Sequence, residues 1–311
     1  MIRVDNNCEY HPVVWSEEWL GCGILFAGPW IGEFGWELAR WQGAVRKRSE
    51  ESGLYTIVMS RPGHQVLYQD FADDFWELPQ SFLDAPLVPH CDHVRPAAGD
   101  PLPKLNTEVA LEGVVRYIKE RVPARGPLRE VLSPRKFRPE EQTIVKLSAP
   151  TAEWSEEVAA APQFVGYYCV LPRVRSWNPE KNWPAENWRG LCTKIAGLHL
   201  VPVPVGGPDE VKALVPSAEI SEADALTRSI DLLTHARFAI APESGGALLS
   251  LMCGCPTLVF GHERQRVRIT KTENFLGTKV KYLSRTDYDF SIDEVAEGAT
   301  ALLQEITMRK P

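Results

Sequence analysis

Short apolar runs alternate with amphipathic stretches along the 311-residue chain, as expected of α/β layers around a parallel sheet. Residues 23–27 predict a first strand that ends in a Gly-Pro turn. A helix is predicted from about Glu33 to Gly53, because apolar residues recur there at helical spacing: Phe34, Leu38, Trp41 and Val45. Residues 54–60 and 74–78 predict two further strands.

The rest of the first half is less regular. Residues 80–103 are rich in proline and predict a long loop or an insertion. Residues 107–119 predict a helix, prolines and basic residues break the pattern over residues 123–139, and residues 143–147 predict another strand.

A second α/β unit is predicted from Phe164 onward. Its strands are predicted at residues 164–172, 198–205, 237–241 and 257–260. Its helices are predicted after Pro184 and at residues 229–236, 244–253 and 291–308. We therefore expect two Rossmann-like domains, residues 1–160 and 161–311, that face an inter-domain cleft, and the last helix could pack back on the first domain. Ligands of such sheets bind beyond the carboxyl ends of the strands.

Composition narrows the possible classes of protein. Hydrophobic residues at 44% and charged residues at 24% exclude a disordered or fibrous chain. The net charge of −7 disfavours general nucleic-acid binding but leaves room for a local basic groove. We expect neither a membrane span nor a signal peptide, because no long apolar run and no charged start followed by an apolar segment is present. Seven cysteines without framework spacing favour reduced thiols in a cytoplasmic protein.

The most informative local pattern is the strand–loop–helix at residues 237–260. Ser244, Gly245 and Gly246 open a helix directly after a strand, where free backbone N–H groups favour an anion such as a pyrophosphate. Glu243 at the strand end could accept hydrogen bonds from sugar or ribose hydroxyls. The alternative is structural: Ser244 caps the helix and the glycines allow close packing on the sheet.

A second polar loop follows the buried strand at residues 164–172. Lys181 lies in this loop, where its ammonium group could meet a phosphate, and Arg173 and Arg175 lie nearer the strand end. Each of these side chains could instead be a solvated surface charge. The tryptophans nearby are predicted to pack in the core rather than to stack on a ligand: Trp183 and Trp188.

The first strand–helix loop, residues 28–37, reads GPWIGEFGWE and lacks the GxGxxG dinucleotide fingerprint. Glu33 lies in the first helical turn, where the helix dipole favours a carboxylate. At the predicted cleft, Glu33 would be placed to take a proton from an acceptor hydroxyl. Glu37, one turn later on the same face, is the substitute candidate.

Other signals are weaker. A small cluster of possible metal ligands consists of His90, Cys91 and His93. It could bind a metal, or it could belong to a loop without metal. A basic stretch could touch a phosphate-bearing substrate or be solvated: Arg264, Arg266, Arg268 and Lys271. The chain has neither a G-x-S-x-G nucleophile elbow nor a Walker loop, so serine hydrolase and P-loop kinase activities lose their main support.

Taken in order, the runs at residues 180–197, 199–210 and 229–261 resemble the C-terminal half of the ADP-heptose:lipopolysaccharide heptosyltransferase family, glycosyltransferase family 9. The resemblance covers about Phe164 to Gly261. In the N-terminal half only the GPWIGEFGWE junction corresponds. The resemblance implies the GT-B arrangement of two Rossmann-like domains, with the nucleotide-sugar bound mainly by the C-terminal domain.

Several site residues follow from this resemblance alone. Lys181 stands where the family has a lysine at the donor phosphates. Glu243, Ser244 and Gly245, followed by Gly246, stand at the family's pyrophosphate motif. The glycine turn and the acidic residue near the nucleoside correspond to Gly206, Gly207 and Glu210. Glu33 stands where the family has its catalytic base, between two glycines assigned to the same substrate site: Gly32 and Gly35.

Two departures separate the chain from the family pattern. Leu248 stands where the family usually has a histidine, and glutamate replaces aspartate at positions 33 and 243. The donor sugar or the acceptor could therefore differ from those of the heptosyltransferases.

The chemistry implied is an inverting transfer from a nucleotide diphosphate-sugar to a saccharide, a glycolipid or another hydroxyl acceptor. Lys181, Arg173 and the amides of residues 244–246 would stabilise the leaving diphosphate in place of a metal, and no cofactor is expected. Binding of the donor in a cleft implies closure against water.

Three alternatives stay open at the level of the sequence. A sugar-nucleotide epimerase would isomerise its substrate without an acceptor. A non-catalytic sugar-nucleotide-binding protein could use the irregular residues 80–139 for partner contact. A glycosyltransferase that modifies DNA is favoured by the basic stretches at residues 125–138 and 264–271 and disfavoured by the net charge of −7.

Overall fold

The chain divides into two compact units. A computed structural model describes residues 23–30, 32–79, 116, 120–121, 128–132, 134, 137–160, 166–175 and 178–308. The units are residues 1–143 and 144–311, so the division falls before the boundary predicted at residue 160. Helix α2 (Glu153–Ala159) belongs to the second unit, because the buried Asp231 carboxylate accepts hydrogen bonds from the backbone N–H groups of Trp154 and Ser155, both at 3.0 Å.

The described strands of the first unit form a parallel sheet in the order β3-β2-β1-β4. They are β1 (Ile24–Ala27), β2 (Tyr55–Ser60), β3 (Asp74–Glu77) and β4 (Leu128–Leu132). The first three confirm the predicted strands. The prediction of an irregular stretch at residues 123–139 was wrong for β4, a mixed polar and apolar run that pairs with β1 at the sheet edge.

Helix α1 occupies residues 34–52 and confirms the helix predicted after Glu33. It begins as an α-helix (Phe34–Trp36), contains a π-helical turn (Glu37–Trp41) and continues as an α-helix (Gln42–Ser52). Three of the four residues of the predicted face are fully buried: Leu38, Trp41 and Val45. Gly53 ends the helix with φ of 60°, a left-handed conformation that glycine adopts without strain.

The strand predicted at residues 143–147 was wrong. This segment has no ladder partner among the described residues. Its backbone bonds to helix residues instead, with Thr143 N–H donating to Gly43 C=O and Leu147 N–H to Met252 C=O, each at 2.9 Å. Of the helix predicted at residues 107–119 only Arg116 is described, and its backbone is helical. The predicted loop at residues 80–103 lies outside the described residues.

The second unit has a parallel sheet in the order β6-β5-β7-β8-β9. Its strands are β5 (Tyr167–Val170), β6 (Val201–Pro204), β7 (Ala239–Pro242), β8 (Thr257–His262) and β9 (Val280–Arg285). Its further helices are α3 (Ala185–Lys194), α4 (Pro208–Lys212), α5 (Glu222–His235), α6 (Gly245–Met252) and α7 (Ile292–Thr307). The sequence did not predict α2, α4 or β9, and the structure extends the helix predicted at residues 229–236 to fourteen residues.

Helix α7 packs on α3, β8 and β9 of the second unit. Its predicted apolar face is confirmed, because Val295, Ala299 and Leu302 lie in the hydrophobic core. Trp183 and Trp188 are buried in the same core, edge to face at 5.1 Å, as predicted for packing residues. None of the described helices is both long and apolar enough to cross a membrane.

Both sheets reverse their strand order next to their first strand. In the first unit this switch point lies between β1 and β4, and in the second between β5 and β7. Ligands of open parallel sheets bind outside the carboxyl ends of the strands at such points. The loop after β1 carries Glu33, the loop after β5 carries Lys181, and the loop after β7 carries Ser244.

Candidate functional site

A buried carboxylate organises the carboxyl edge of the second sheet. Glu243, directly after β7, is only 2% exposed. Its Oε1 accepts hydrogen bonds from Lys181 Nζ at 2.6 Å and Tyr288 OH at 2.7 Å, and its Oε2 from His262 N–H and Tyr282 OH, both at 2.9 Å. Four donors saturate both oxygens. Glu243 therefore has no unpaired oxygen for a ligand hydroxyl, which does not support its predicted role. Its carboxylate holds Lys181 instead.

The two tyrosines at this carboxylate act as hydrogen-bond donors. Burial, and then the negative charge of Glu243, raise the pKa of Tyr282 well above its ordinary value. Burial and the hydrogen bond to Glu243 raise the pKa of Tyr288 in the same direction. Both phenols thus keep their protons. Gly261 completes the arrangement, since a Cβ there would lie 2.6 Å from the Glu243 side chain.

Lys181 ends the short turn Pro179–Lys181 and keeps part of its side chain, 19%, exposed. Its ammonium group lies 5.4 Å from the centre of the Tyr288 ring, within cation–π range. An ammonium has three N–H donors, and the Glu243 bond uses one. Among the described residues no other hydrogen bond to this ammonium occurs, so two donors remain for an anion at the edge of the sheet.

Arg173 shapes the loop that carries Lys181. Its guanidinium donates to the C=O of Asn178, at 3.0 Å, and to the Asn182 side chain. The Asn182 amide in turn donates to Arg175 C=O at 2.6 Å. Burial raises the pKa of Tyr288, and the positive charge of Arg173 lowers it in part, so Arg173 lies beside the same cluster. Arg173 therefore supports the loop, in addition to any contact it makes with a ligand.

The first turn of α6 faces the same edge. Ser244 occupies the N-cap position, but its hydroxyl makes no capping hydrogen bond. The capping role that the sequence offered for Ser244 is therefore not seen, whereas close packing is: a Cβ on Gly246 would lie 3.1 Å from Leu171 Cδ2. The N–H groups of this turn, including that of Gly245, have no partner inside the helix and can receive an anion.

The glycine turn after β6 packs against Glu210. Gly206 has φ of 135°, and a Cβ on it would lie 2.9 Å from Glu210 Cβ, while a Cβ on Gly207 would lie 2.8 Å from Glu210 Oε2. Burial raises the pKa of Glu210, and Arg175, whose Nε lies 3.6 Å from Glu210 Oε1, opposes this only in part. The loops after β5 and β6 are thus joined at the residues predicted to lie near a nucleoside.

A groove of about 420 Å³ lies next to this turn, within the second unit. Its wall mixes apolar with charged side chains and includes Trp154, Pro204, Val211, Glu157, Glu219 and Arg228. Glu210 and the two glycines are not part of the wall. The groove is therefore a neighbour of the predicted nucleoside residues.

The two candidate bases of the first unit differ in their exposure to solvent. Glu33 is partly exposed and occupies the position before helix α1. Glu37 is fully buried, and its carboxylate accepts hydrogen bonds from Ser60 Oγ at 2.6 Å and Tyr68 OH at 2.7 Å and lies 2.7 Å from His64 Nδ1. The substitute role predicted for Glu37 does not fit this position, because a substrate cannot reach a carboxylate enclosed in this way.

The glycines of the first loop allow close approaches. A Cβ on Gly28, at φ of 133°, would lie 2.6 Å from Met59 C=O, and a Cβ on Gly32 would lie 2.7 Å from the Trp30 ring. The Gly32 carbonyl accepts a hydrogen bond from Arg61 at 2.6 Å. Gly35 lies in the first turn of α1.

Sequence reasoning missed four residues of these edges: Arg61, His64, Tyr282 and Tyr288. The tyrosines flank the end of β9, which the sequence did not predict, so nothing placed them at the carboxyl edge. Arg61 and His64 directly follow β2, which was predicted, so the rule that ligands bind after strand ends could have found them.

The weaker predictions gain no support. No cluster of three or more metal-ligating residues occurs among the described residues, and the cluster at residues 90–93 lies outside them. Arg264, Arg266 and Lys271 are exposed, and Arg268 pairs with Glu273 at 3.7 Å.

The chain is similar in fold to solved glycosyltransferases. The structure of a glycosyl transferase family 9 protein from Veillonella parvula matches 91% of this chain and 98% of its own, with 13% identity and a TM-score of 0.56. The Escherichia coli ADP-heptose lipopolysaccharide heptosyltransferase II matches 92% of this chain and 99% of its own, with 12% identity and a TM-score of 0.54. The Escherichia coli heptosyltransferase WaaC with ADP matches 90% and 99%, with 11% identity and a TM-score of 0.51.

No protein-family model and no curated sequence matches the chain. The structural likeness therefore stands on the fold. It confirms the predicted α/β class with two Rossmann-like units, and it extends over both halves, whereas the sequence resemblance was clear only in the second.

Proposed function

We propose that this protein is an inverting glycosyltransferase that takes a sugar from a nucleotide diphosphate-sugar. The observation that carries the proposal is the Lys181–Glu243 pair at the switch point of the second sheet, next to the free N–H groups of helix α6. A cation with two donors that no described residue occupies, beside a helix start, suits a diphosphate. The solved neighbours described as heptosyltransferases, one with ADP, support the same class of substrate.

In this proposal the diphosphate lies between Lys181 and the amides of residues 244–246. The acceptor oxygen bonds to the anomeric carbon from the face opposite the diphosphate. The bond from that carbon to the phosphate oxygen breaks, and the nucleoside diphosphate leaves with the electron pair. Lys181 stabilises the charge that develops on the leaving group, which is the role the sequence assigned to this lysine in place of a metal.

The reaction also needs a group that takes the proton of the acceptor hydroxyl. Glu33 is the candidate from the sequence, and this assignment stays a prediction. Its partly exposed position after β1 suits a group that contacts substrate. We expect a saccharide, glycolipid or other hydroxyl acceptor and a cytoplasmic location, the latter consistent with the free cysteines among the described residues: Cys169, Cys192, Cys253 and Cys255.

A thermal-shift panel tests this function. It contains ADP, UDP, GDP, CDP and dTDP, and ADP-heptose, UDP-glucose, UDP-N-acetylglucosamine and GDP-mannose. We expect the nucleoside diphosphate of one particular nucleobase to raise the melting temperature. We expect the nucleotide-sugar with the same nucleobase to release its nucleoside diphosphate slowly in water. No shift with any compound would contradict the proposal. Isomerisation of the sugar without release would favour the epimerase, and binding without turnover, even with sugar acceptors added, would favour the binding protein.

A further inference from the structure

A histidine–carboxylate pair lies at the carboxyl edge of the first sheet. The Nδ1 atom of His64 is 2.7 Å from Glu37 Oε2. The Glu37 side chain is fully buried, whereas that of His64 is 15% exposed. Within the part of the chain that the structure describes, the other ring nitrogen of His64, Nε2, has no hydrogen-bond partner.

Glu37 is held as an anion. Burial alone would raise the pKa of Glu37, but His64 and, to a smaller extent, Arg61 and Ser60 lower it below its ordinary value of 4.5. A carboxylate that accepts a bond at Nδ1 fixes the proton of a neutral imidazole on that atom. Nε2 then carries the free lone pair, which is the arrangement of a base oriented by a third group.

The His64 ring borders the loop of Glu33. His64 begins a short turn, His64–Leu67, which follows β2. Its ring packs edge to face on Phe34, the residue after Glu33, with 5.5 Å between ring centres. Arg61 ties the two loops together through the Gly32 carbonyl. His64 and Glu33 therefore belong to one edge of one sheet.

We propose that His64, in place of Glu33, is the catalytic base that deprotonates the acceptor, with Glu37 as its positioning residue. The inference rests on the proposed function. The acceptor O–H proton moves to His64 Nε2 as the acceptor oxygen bonds to the anomeric carbon and the nucleoside diphosphate departs with the electron pair. The imidazolium then returns its proton to water.

A second histidine–carboxylate pair, His235 and Asp231, lies away from the carboxyl edge of its sheet and provides the control. His235 Nδ1 lies 3.2 Å from Asp231 Oδ1, but the His235 side chain is half exposed. Asp231 serves helix α2 through the amides of Trp154 and Ser155. His235 ends helix α5 just before β7 begins, at the amino edge of the sheet and away from the strand ends where ligands bind.

The experiment uses water as the acceptor and the nucleotide-sugar panel as donors, and it measures release of nucleoside diphosphate between pH 5 and 9. The variants are His64→Asn, Glu33→Gln and His235→Asn. An asparagine can still donate to Glu37, so His64→Asn keeps the buried bond and removes only the ring nitrogen that would take the proton. Thermal shift with the nucleoside diphosphate reports donor binding and folding for each variant.

We expect His64→Asn to keep donor binding, to lower the release rate about 100-fold, and to lose the decline in rate at acid pH that protonation of a base causes. Among the described residues, the titratable groups at this pair are Glu37 against His64, Arg61 and Tyr68 against Glu37, and Glu77 at the neighbouring Gly63 N–H, and none of them is changed. We expect Glu33→Gln to keep the acid decline and His235→Asn to match the wild type.

Each other result overturns the inference in a distinguishable way. If His64→Asn keeps the rate and the acid decline while the wild type releases diphosphate, His64 is not the base and the proposed function stands. If Glu33→Gln alone loses the acid decline, the base is Glu33. If no protein binds or cleaves any donor, the proposed function fails and the role of His64 fails with it. Should His64→Asn not fold, His64→Gln replaces it, with the same expected results.

Discussion

At the scale of single residues, each unit has a buried glutamate that holds a basic side chain at the carboxyl edge of its sheet. Glu243 holds Lys181 and Glu37 holds His64. A buried carboxylate is costly unless it is paired and fully hydrogen-bonded, and both of these are. The sequence analysis singled out both glutamates but predicted that they contact a ligand. The tyrosines and the histidine that bond to the two carboxylates come from distant parts of the chain, so the sequence pattern did not reveal them.

Glu243→Gln is expected to destabilise the second unit by about 1–3 kcal/mol, because an amide cannot accept all four hydrogen bonds and leaves buried donors unpaired. Urea unfolding followed by tryptophan fluorescence measures the change. The control is Glu263→Gln at an exposed position, expected within about 0.5 kcal/mol of the wild type. Equal stability of the two variants would show that the network contributes nothing.

Gly261→Ala is expected to weaken nucleoside diphosphate binding as well as stability, because its Cβ would displace the Glu243 side chain and with it Lys181. Gly197→Ala is the control, since nothing lies within 4 Å of a Cβ there. Isothermal titration calorimetry checks both variants. Wild-type affinity in Gly261→Ala would mean that Lys181 does not depend on Glu243 for its position.

At the scale of elements, the buried strands and amphipathic helices were predictable and the edge strands were less so. The central strands β1, β5 and β7 are fully buried apolar runs, which sequence patterns detect. The edge strands β4 and β9 are partly exposed and mix charged with apolar residues, and their pairing comes from neighbours far along the chain. Failure to predict β9 explains why Tyr288 was missed.

Helix α7 offers a test of local structure. Ser291 and Glu294 form a capping box, and Arg285, followed by Ser291, lowers the pKa of Glu294 to about 2. Ser291→Ala should cost about 1 kcal/mol. Because the pKa of Glu294 is lowered on folding, its charge stabilises the folded state above its ordinary value of 4.5, and this stabilisation is lost as the pH falls toward 2.

The pH dependence of the Glu294→Gln variant checks this sign. We expect the stability difference from the wild type to be largest near neutral pH and to shrink as the pH falls from about 5 to 3. Urea unfolding at a series of pH values measures it. A difference that stays constant over this range would assign the effect to packing.

At the scale of the whole molecule, charge argues against a nucleic-acid substrate. The net charge is −7, and three basic residues of the stretch at residues 264–271 are exposed side chains: Arg264, Arg266 and Lys271. We expect a fluorescent duplex DNA to bind more weakly than about 100 μM at physiological salt, measured by anisotropy. Tighter binding that weakens steeply with added salt would revive the DNA-modifying glycosyltransferase.

The central claim is that Lys181 and the start of helix α6 bind the diphosphate of a nucleotide-sugar. Calorimetric titration of the nucleoside diphosphates into Lys181→Ala tests it most directly. Lys194→Ala is the control, because Lys194 ends helix α3 at the opposite edge of the same sheet and pairs with Asp293. We predict that Lys181→Ala binds about 10- to 100-fold more weakly while Lys194→Ala matches the wild type. Equal affinity in all three proteins would contradict the account.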